Sequence, residues 1–215
     1  LGNSGTCVRF LLPLIAFTCN KEIIFDCSEE MKKRPISPLV ESLNNIGCNI
    51  SYRDENNYLP LTIKPFGNLK KEVYIDGTLS SQYITGLLIG YSFLFLINSE
   101  QNFKIYLTGE KTSFGFIEMT IKILEKFGFS IEYTEDSIEI INWNRNKVPS
   151  EYIMEGDLSS ASYLIGWSYI NKFNLELKNI PKISTQPDFK ILHKMSKYFG
   201  NLDDNNGILT FKPYN

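Results

Sequence analysis

Two kinds of apolar segment alternate along the chain. The first is a continuous apolar run that follows a glycine and small hydroxyl residues, and it occurs at Leu11–Phe17, Ile84–Ile97 and Leu164–Ile170. A helix that is apolar on all sides lies inside a protein or crosses a membrane. Because the longest of these runs, Ile84–Ile97, is shorter than the roughly 20 residues that span a bilayer, the pattern predicts buried core helices and no membrane span.

Amphipathic helices form the second kind of segment. Their apolar residues recur at positions i, i+3 and i+4, and a glycine stands at the end of each. They are Leu39–Ile46 before Gly47, Ile121–Phe127 before Gly128, and Ile191–Phe199 before Gly200. This pattern predicts three half-exposed helices, each ending in a left-handed glycine cap.

Short strand-like runs surround these helices. Val73–Ile75 and Tyr152–Met154 precede the second and third apolar helices, and a hairpin follows each amphipathic helix. The hairpins are Ile50–Tyr52 with Leu61–Ile63, Ser130–Tyr133 with Ile138–Ile141, and a third that turns at Asp204-Asn205-Asn206-Gly207 and closes at Ile208–Phe211. A unit of about 75 residues with this mixed content predicts repeated α/β modules, whose apolar helices pack together in the middle with the sheets outside.

Composition excludes several classes of protein. The 215 residues are 43% hydrophobic and 21% charged, which is typical of a soluble globular protein. The net charge is −2 and the isoelectric point is near 5.6, so we expect no general nucleic-acid binding. Any anion that this protein binds must therefore be held by a local site.

The cysteines and the first residues indicate the environment of the protein. No Cys-x-x-Cys pair occurs among the four cysteines, which are Cys7, Cys19, Cys27 and Cys48, and His193 is the single histidine. We therefore expect no structural zinc site, and reduced, mostly buried thiols in a cytoplasmic protein. The opening residues have no charged segment of the kind that begins a signal peptide, so we expect the sequence to be the interior of a longer one.

The turns that open the apolar helices are candidate anion sites. Such a turn presents free backbone N–H groups at the positive end of the helix dipole, although serine and threonine also occur there simply as helix caps. Arg9, one turn into an apolar helix, and Arg34, just before the next helix, suit bidentate contacts to phosphate or carboxylate. The alternative for Arg9 is a buried structural ion pair, and for Lys32 and Lys33 it is a solvated surface.

Five motifs together resemble the 5-enolpyruvylshikimate-3-phosphate synthase family over essentially the whole chain. They are LGNSGTCVRF, KKRPISPLVESL, IDGTLSSQYITGLL, EGDLSSASY and QPD. The resemblance implies an α/β fold with two lobes, each of three βαβαββ units around buried parallel helices, an inside-out α/β barrel with its ligands between the lobes. It implies transfer of the enolpyruvyl group of phosphoenolpyruvate to the 5-hydroxyl of shikimate 3-phosphate, with release of phosphate. No cofactor and no metal are implied, nor any nucleic-acid or membrane partner, and the full-length form is expected to be a monomer.

The resemblance also implies roles for individual residues. Phosphoenolpyruvate is expected to contact Asn3, Gly5, Thr6, Arg9 and Arg34, and Gly5 lies where a side chain would crowd this small ligand and where the fit of glyphosate is tuned. Shikimate 3-phosphate is expected to contact Ser80, Ser81, Gln82 and Ser113, with Gln82 also reaching the second substrate. The catalytic residue is expected to be Asp188, which contacts the acceptor hydroxyls and accepts a proton, because an alcohol needs a positioned base as the new bond forms.

The resemblance divides the chain into two parts. Residues 1–152 match most of the N-terminal lobe and residues 153–215 match the first, incomplete unit of the C-terminal lobe, with the crossing near Tyr152–Asp157. The family has further substrate-binding basic residues before and after these motifs, so we expect an internal fragment with little or no transferase activity by itself. Departures from the family pattern are Phe10, Phe114-Gly115, Phe116 and Pro187.

Two alternatives stay open at this point. The chain could be a non-catalytic module that binds shikimate 3-phosphate. It could also resemble the related UDP-N-acetylglucosamine enolpyruvyl transferases, which would predict binding of a uridine nucleotide.

Overall fold

A computed structural model describes residues 1–78, 80–97, 102–110, 112–181, 183–205 and 208–214. They form two compact units, Leu1–Val148 and Pro149–Asn215. Each unit has its own cluster of buried apolar side chains. The assignment of residues 1–152 and 153–215 to two lobes stays a prediction.

The first unit begins with one α/β module. Its elements are α1 (Gly5–Thr18), β1 (Ile23–Phe25), α2 (Glu29–Lys32), α3 (Ser37–Asn45), β2 (Asn49–Tyr52) and β3 (Leu61–Lys64). The three strands form a sheet in the order β1-β3-β2, and both pairs are antiparallel. Ile50 pairs with Ile63 across the predicted hairpin, and both side chains are buried.

A complete βαβαββ module follows in the same unit. Its elements are β4 (Glu72–Asp76), α4 (Ser81–Ile97), β5 (Phe103–Thr108), α5 (Phe114–Lys126), β6 (Phe129–Tyr133) and β7 (Ser137–Trp143). The sheet order is β4-β5-β7-β6, with β4 and β5 parallel and the other pairs antiparallel. The parallel pair requires a crossover, which α4 provides. The module predicted from the repeat is confirmed here in full.

The second unit repeats this arrangement without a strand before its first helix. Its elements are α6 (Leu158–Asn171), β8 (Leu175–Lys178), α7 (Phe189–Phe199), β9 (Gly200–Asn205) and β10 (Ile208–Pro213). The sheet order β8-β10-β9 is the order of the corresponding strands in both earlier modules. The turn predicted at Asp204–Gly207 includes residues 206 and 207, which lie outside the described residues.

The strand predicted at Tyr152–Met154 is wrong, because this segment is irregular. No strand of the described residues pairs with it, and Ile153 is 82% exposed. Instead, Asn179 Nδ2 donates to the carbonyl oxygen of Met154. An apolar run becomes a strand only when a sheet edge is present to pair with its backbone.

Helices α1 and α4 pack against each other in the centre of the first unit. The rings of Phe17 and Tyr91 stack with their centroids 5.3 Å apart. Gly86 and Gly90 of α4 face α1, where added Cβ atoms would meet the Arg9 carbonyl and the Phe17 ring. The prediction of a buried core helix is thus confirmed for α4. It is wrong for Leu164–Ile170 in the second unit, because within the described residues Trp167 is 58% and Ile170 is 76% exposed. Within the described part of the chain, no helix is long and apolar enough to span a membrane.

Two of the three predicted glycine caps are confirmed. Gly47 has φ +112° and Gly128 has φ +92°, both in the left-handed region. The cap predicted at Gly200 is wrong, because this residue has φ 169° and begins β9 in extended conformation. Gly200 pairs with Pro213, and a Cβ there would overlap the carbonyl oxygen of Lys212. The glycine therefore allows a close strand contact rather than a left-handed turn.

The expectation of mostly buried thiols holds only in part. Cys19 and Cys48 are buried and Cys27 is half-buried, but Cys7 is exposed in the first turn of α1. Among the residues that the structure describes, no group of three His, Cys, Asp or Glu side chains is arranged to hold a metal ion.

Candidate active site

The turns that open the three apolar helices are capped by their own side chains. Ser4 Oγ accepts from the backbone N–H of Cys7 at 3.2 Å, and Ser80 Oγ accepts from that of Gln82 at 3.2 Å. Asp157 Oδ1 accepts from the N–H of Ser159 at 3.0 Å. Capping therefore accounts for these amide groups. The capacity of the site to bind an anion depends on side chains instead.

Gln82 connects the turn that opens α4 to the turn that opens α1. Its Oε1 accepts from Arg9 Nη1 at 2.6 Å, and its Nε2 donates to Thr6 Oγ1 at 3.2 Å. The two hydrogen bonds fix which end of the Gln82 amide carries the oxygen. Two motifs that lie more than 70 residues apart in sequence thus form one polar cluster.

Arg9 has no carboxylate partner among the described residues, so the alternative of a buried ion pair is not supported. Its Nε is buried and has no hydrogen-bond partner within the same residues. Its guanidinium instead lies over the ring of Tyr83, with Cζ 5.3 Å from the ring centroid. Part of the hydrogen-bonding capacity of this cation is therefore unused.

The guanidinium group of Arg34 lies beside Gly5, as that of Arg9 does. A Cβ atom added to Gly5 would lie 3.1 Å from Arg9 Nη1 and 3.3 Å from Arg34 Nη1. The structure gives Arg34, which is exposed, no acidic partner among its described residues. Two guanidinium groups that converge without a carboxylate repel each other, and a bound anion would relieve this repulsion. The absence of a side chain at Gly5 leaves room for such an anion.

A cavity of about 870 Å³ opens beside this cluster. Its polar wall contains six of the predicted substrate-binding residues: Thr6, Arg9, Ser80, Ser81, Gln82 and Ser113. Among the described residues that line it, only Arg9 carries a charge. Its apolar wall comes from α1, α4 and α5, and is formed by Phe10, Ile89, Phe116, Met119, Ile123 and Leu124.

Ser113 reaches the cavity because the loop before α5 is bent towards the turn before α4. Ser113 itself has φ +56°, in the left-handed region, and its side chain caps no helix. The neighbouring Thr112 donates through Oγ1 to the carbonyl oxygens of Gly77 at 3.1 Å and Thr78 at 3.3 Å. These bonds hold the two loops side by side.

Asn3 and the two lysines lie apart from the cavity wall. Asn3 is exposed, and its Oδ1 is 3.4 Å from Ser28 Oγ, which donates to it. Lys33 pairs with Glu30 at 3.0 Å on the surface, as expected. Lys32 pairs with Glu29 at 2.8 Å, and this hydrogen bond raises the pKa of Lys32.

Asp188 belongs to the second unit, where it stands immediately before α7. Its Oδ2 accepts a hydrogen bond from Ser159 Oγ in the first turn of α6. Gln186 joins the same two segments, because its Oε1 accepts from the N–H of Leu158 at 3.0 Å and its Nε2 donates to the carbonyl of Gly156 at 2.9 Å. The QPD motif is thus bound directly to the EGDLSS motif.

Sequence reasoning missed several residues of these clusters. Thr112, Thr78 and Thr85 line the cavity, and Tyr83 and Ser159 contact predicted site residues. Tyr83 and Ser159 both lie inside the motifs that carried the resemblance, and Tyr83 directly follows the predicted site residue Gln82. No local pattern marks Thr112, which depends on the fold of its loop.

Comparison with known proteins identifies the family to which the chain belongs. The family model of EPSP synthase (3-phosphoshikimate 1-carboxyvinyltransferase) matches residues 1–210. The chain belongs to the EPSP synthase family. A 3-phosphoshikimate 1-carboxyvinyltransferase of Methanococcus maripaludis strain C6 is 33% identical over 219 residues, which cover 100% of this chain and 50% of that protein. The enzyme of the same name from Buchnera aphidicola subsp. Cinara cedri is 36% identical over 91% of this chain and 44% of its own length.

Solved structures of the family and of a related enzyme share the fold. An EPSP synthase from Acinetobacter baumannii matches with a TM-score of 0.64 and 20% identity, over 99% of this chain and 47% of that one. The enolpyruvyl transferase NikO from Streptomyces tendae matches with a TM-score of 0.59 and 14% identity, over 95% of this chain and 46% of that one. The predicted α/β enolpyruvyl transferase fold is thereby confirmed. The chain spans about half the length of the curated relatives that it matches.

Proposed function

We propose that this chain provides substrate-binding and catalytic residues for transfer of the enolpyruvyl group from phosphoenolpyruvate to the 5-hydroxyl of shikimate 3-phosphate. The observation that carries the proposal is the bridge from Gln82 to Arg9 and Thr6. This bridge brings the Ser80–Gln82 turn and the glycine-rich turn to one cavity. The names of the curated relatives support the same reaction.

The charges and hydroxyls suit two anionic substrates. The hydroxyls of Ser80, Ser81 and Ser113 with the amide of Gln82 form the shikimate 3-phosphate subsite. The guanidinium groups of Arg9 and Arg34 bind phosphoenolpyruvate and offset the repulsion between two anions.

Proton transfer is assigned to Asp188. Its carboxylate removes the proton of the acceptor hydroxyl as that oxygen adds to C2 of phosphoenolpyruvate, and C3 takes up a proton as the double bond is broken. Loss of phosphate from C2 and of a proton from C3 then restores the double bond in the enolpyruvyl product. The hydrogen bond from Ser159 holds Oδ2 of the carboxylate, and Oδ1 acts as the base. No step uses a metal or a cofactor.

Titration calorimetry with shikimate 3-phosphate tests the first part of the proposal. We expect Gln82→Ala and Ser80→Ala each to weaken binding about tenfold, since each removes a hydrogen bond to a charged ligand. Ser51→Ala is the matched control, because Ser51 is exposed on β2 outside the cavity. Equal affinities for all four proteins would refute the subsite.

Phosphate release with both substrates tests the catalytic part. We expect little turnover from the 215-residue chain alone, and turnover that depends on Asp188 in a protein of the length of the relatives. Binding without turnover in that longer protein would favour a non-catalytic binding module. Binding of a uridine nucleotide in place of shikimate 3-phosphate would favour the aminosugar transferase. Glyphosate is expected to compete with phosphoenolpyruvate at the arginine pair.

A further inference from the structure

Tyr83 follows the Ser80–Gln82 turn directly, and no substrate contact has been assigned to it. Its side chain is only 2% exposed, although it carries a polar hydroxyl. The face of its ring lies under the Arg9 guanidinium, with Arg9 Cζ 5.3 Å from the centroid. At the other end of the side chain, Tyr83 Oη donates to the carbonyl oxygen of Pro35 at 2.9 Å.

We propose that Tyr83 is a positioning residue that holds both guanidinium groups of the phosphoenolpyruvate subsite in place. The ring fixes Arg9, and the hydroxyl fixes the backbone beside Arg34. The role of this subsite in binding phosphoenolpyruvate rests on the proposed function. The contacts of Tyr83 with Arg9 and Pro35 do not depend on it.

The ring acts on Arg9 because an arginine side chain is long and can adopt many rotamers. A guanidinium over an aromatic face gains electrostatic attraction and keeps its edge free for hydrogen bonds. Arg9 Nη1 uses that edge to bond Gln82 at 2.6 Å. Its Nε is buried without a hydrogen-bond partner in the described chain, so the ring supplies attraction that no hydrogen bond provides there.

The hydroxyl acts on Arg34 through the irregular segment between α2 and α3. The N–H of Arg34 donates to the carbonyl of Met31 at 3.1 Å, and the N–H of Ile36 donates to that of Asn57 at 2.9 Å. The Tyr83 hydroxyl adds a bond from α4 to Pro35, between these two anchors. One buried side chain therefore contacts one arginine and the backbone next to the other.

Two substitutions separate the ring from the hydroxyl. Tyr83→Phe keeps the ring and removes the bond to Pro35, whereas Tyr83→Leu removes both. Tyr91→Phe is a matched control, because Tyr91 lies on the same helix, is fully buried and has a hydroxyl without a partner in the described residues. Tyr83→Phe also keeps the test valid if Tyr83→Leu does not fold.

Nuclear magnetic resonance of arginine Nε–Hε groups tests the contact without any ligand. The chain has four arginines, at positions 9, 34, 53 and 145, and the Arg9 signal is assigned by its loss in Arg9→Lys. We expect a ring-current upfield shift of this signal in the parent protein, in Tyr83→Phe and in Tyr91→Phe, and its loss in Tyr83→Leu. An Arg9 signal that is the same in folded Tyr83→Leu would overturn the role of the ring.

Calorimetry with phosphoenolpyruvate and, separately, shikimate 3-phosphate tests the consequence. We expect Tyr83→Phe to weaken phosphoenolpyruvate binding about fivefold and Tyr83→Leu about 30-fold, with shikimate 3-phosphate affinity changed less than twofold. A parallel loss of both affinities would indicate a merely structural role and overturn the proposal, as would no change in Tyr83→Phe. If the parent chain binds neither ligand, the proposed function fails for this chain, and the Arg9 resonance still decides whether Tyr83 positions Arg9.

Discussion

Gly86 of α4 lies directly against the backbone carbonyl group of Arg9 in α1, so closely that a Cβ atom at position 86 would overlap that oxygen. The contact sets the distance between the two helices that carry the polar cluster. Arg9 and Gln82 lie on these helices, and their hydrogen bond of 2.6 Å depends on that distance.

We therefore expect Gly86→Ala to force α1 and α4 apart and to lower the free energy of unfolding of the first unit by about 3 kcal/mol. Denaturation followed by the fluorescence of Trp143, in a Trp167→Phe background, measures this change. Gly166→Ala is the control, because no atom lies within 4 Å of its added Cβ on α6. With Trp167 as the probe, that variant should be more stable by about 0.5–1 kcal/mol, since alanine is the better helix former. Unchanged stability in Gly86→Ala would contradict the close contact.

Tyr91 gives a prediction of the opposite sign. Its ring stacks between Phe17 and Phe103, with centroids 5.3 and 4.8 Å away, and burial raises the pKa of its phenol. The hydroxyl has no hydrogen-bond partner within the described residues. Because a buried hydroxyl without a partner carries a desolvation cost, we expect Tyr91→Phe to raise the free energy of unfolding by about 1 kcal/mol.

The comparison for this prediction is Tyr83→Phe, measured by the same denaturation experiment. Tyr83 Oη is bonded to Pro35, so its removal should lower the free energy of unfolding by about 1 kcal/mol. Equal effects of the two substitutions would show that the Tyr91 hydroxyl is hydrogen-bonded after all.

The local elements of this fold could be predicted because they depend on short periodic patterns. Most of the run Ile84–Ile97 is buried in α4, and the glycines at 47 and 128 end their helices as expected. The same patterns gave wrong predictions where the local structure depends on contacts with residues distant in the sequence. Tyr152–Met154 has an apolar pattern but pairs with no strand of the described residues, and Gly200 follows a helix but contacts the backbone of Lys212.

For the same reason, the residues of the site could be predicted only from the sequence motifs and not from periodicity. Periodicity indicates that a polar turn opens a helix, but it does not indicate that Gln82 reaches Arg9 across 73 residues, or that Tyr83 reaches Pro35 across 48. Ser159 and Asp188 meet in the same way, 29 residues apart. Such contacts depend on which helices pack together, and small residues such as Gly86 determine that packing only when the partner is present.

The cysteines should react at very different rates. Burial raises the pKa of Cys48 to about 12, and burial also raises that of Cys19. Only the thiolate reacts, so the raised pKa leaves very little reactive Cys48 at pH 8 even before access is considered. We expect a disulfide reagent to label exposed Cys7 first, and to label Cys19 and Cys48 only after denaturation.

Mass spectrometry of peptides from a time course identifies the labelled residues, and Cys7→Ser removes the fast phase. Cys27 should be slower than Cys7, because burial and the nearby Asp26 raise its pKa. Labelling of Cys48 in the native protein at the rate of Cys7 would contradict the burial described above.

We expect Asp157 to make the stability of the second unit depend on pH. The hydrogen bond from Ser160 Oγ, at 2.5 Å, is the main cause that lowers the pKa of Asp157 below its usual value. A carboxyl group whose pKa is lowered by folding stabilises the folded state fully above its unfolded pKa, which is about 3.9, and loses this effect as the pH falls through the folded pKa. We therefore expect the second unit to become less stable below about pH 4.

Denaturation followed by Trp167 fluorescence in a Trp143→Phe background measures this dependence. Asp157→Asn is the matched variant, because asparagine also caps helices but does not titrate. The stability of this variant should fall less steeply between pH 5 and about pH 3 than that of the parent. Identical slopes would show that Asp157 is not the group responsible.

Gly5→Ala tests the arginine pair most directly. The added Cβ would lie 3.1 Å from Arg9 Nη1 and 3.3 Å from Arg34 Nη1, and both distances are shorter than an ordinary van der Waals contact. Both neighbours are the ends of flexible side chains, so the fold should persist while the two guanidinium groups move outward. We expect phosphoenolpyruvate affinity to fall about tenfold, or about 1.4 kcal/mol, with shikimate 3-phosphate affinity unchanged.

Gly67→Ala is the control, because it adds the same methyl group where no atom lies within 4 Å. If calorimetry shows that Gly5→Ala binds phosphoenolpyruvate as tightly as Gly67→Ala does, the two arginines do not form its binding site, since their displacement would then have no effect on the anion.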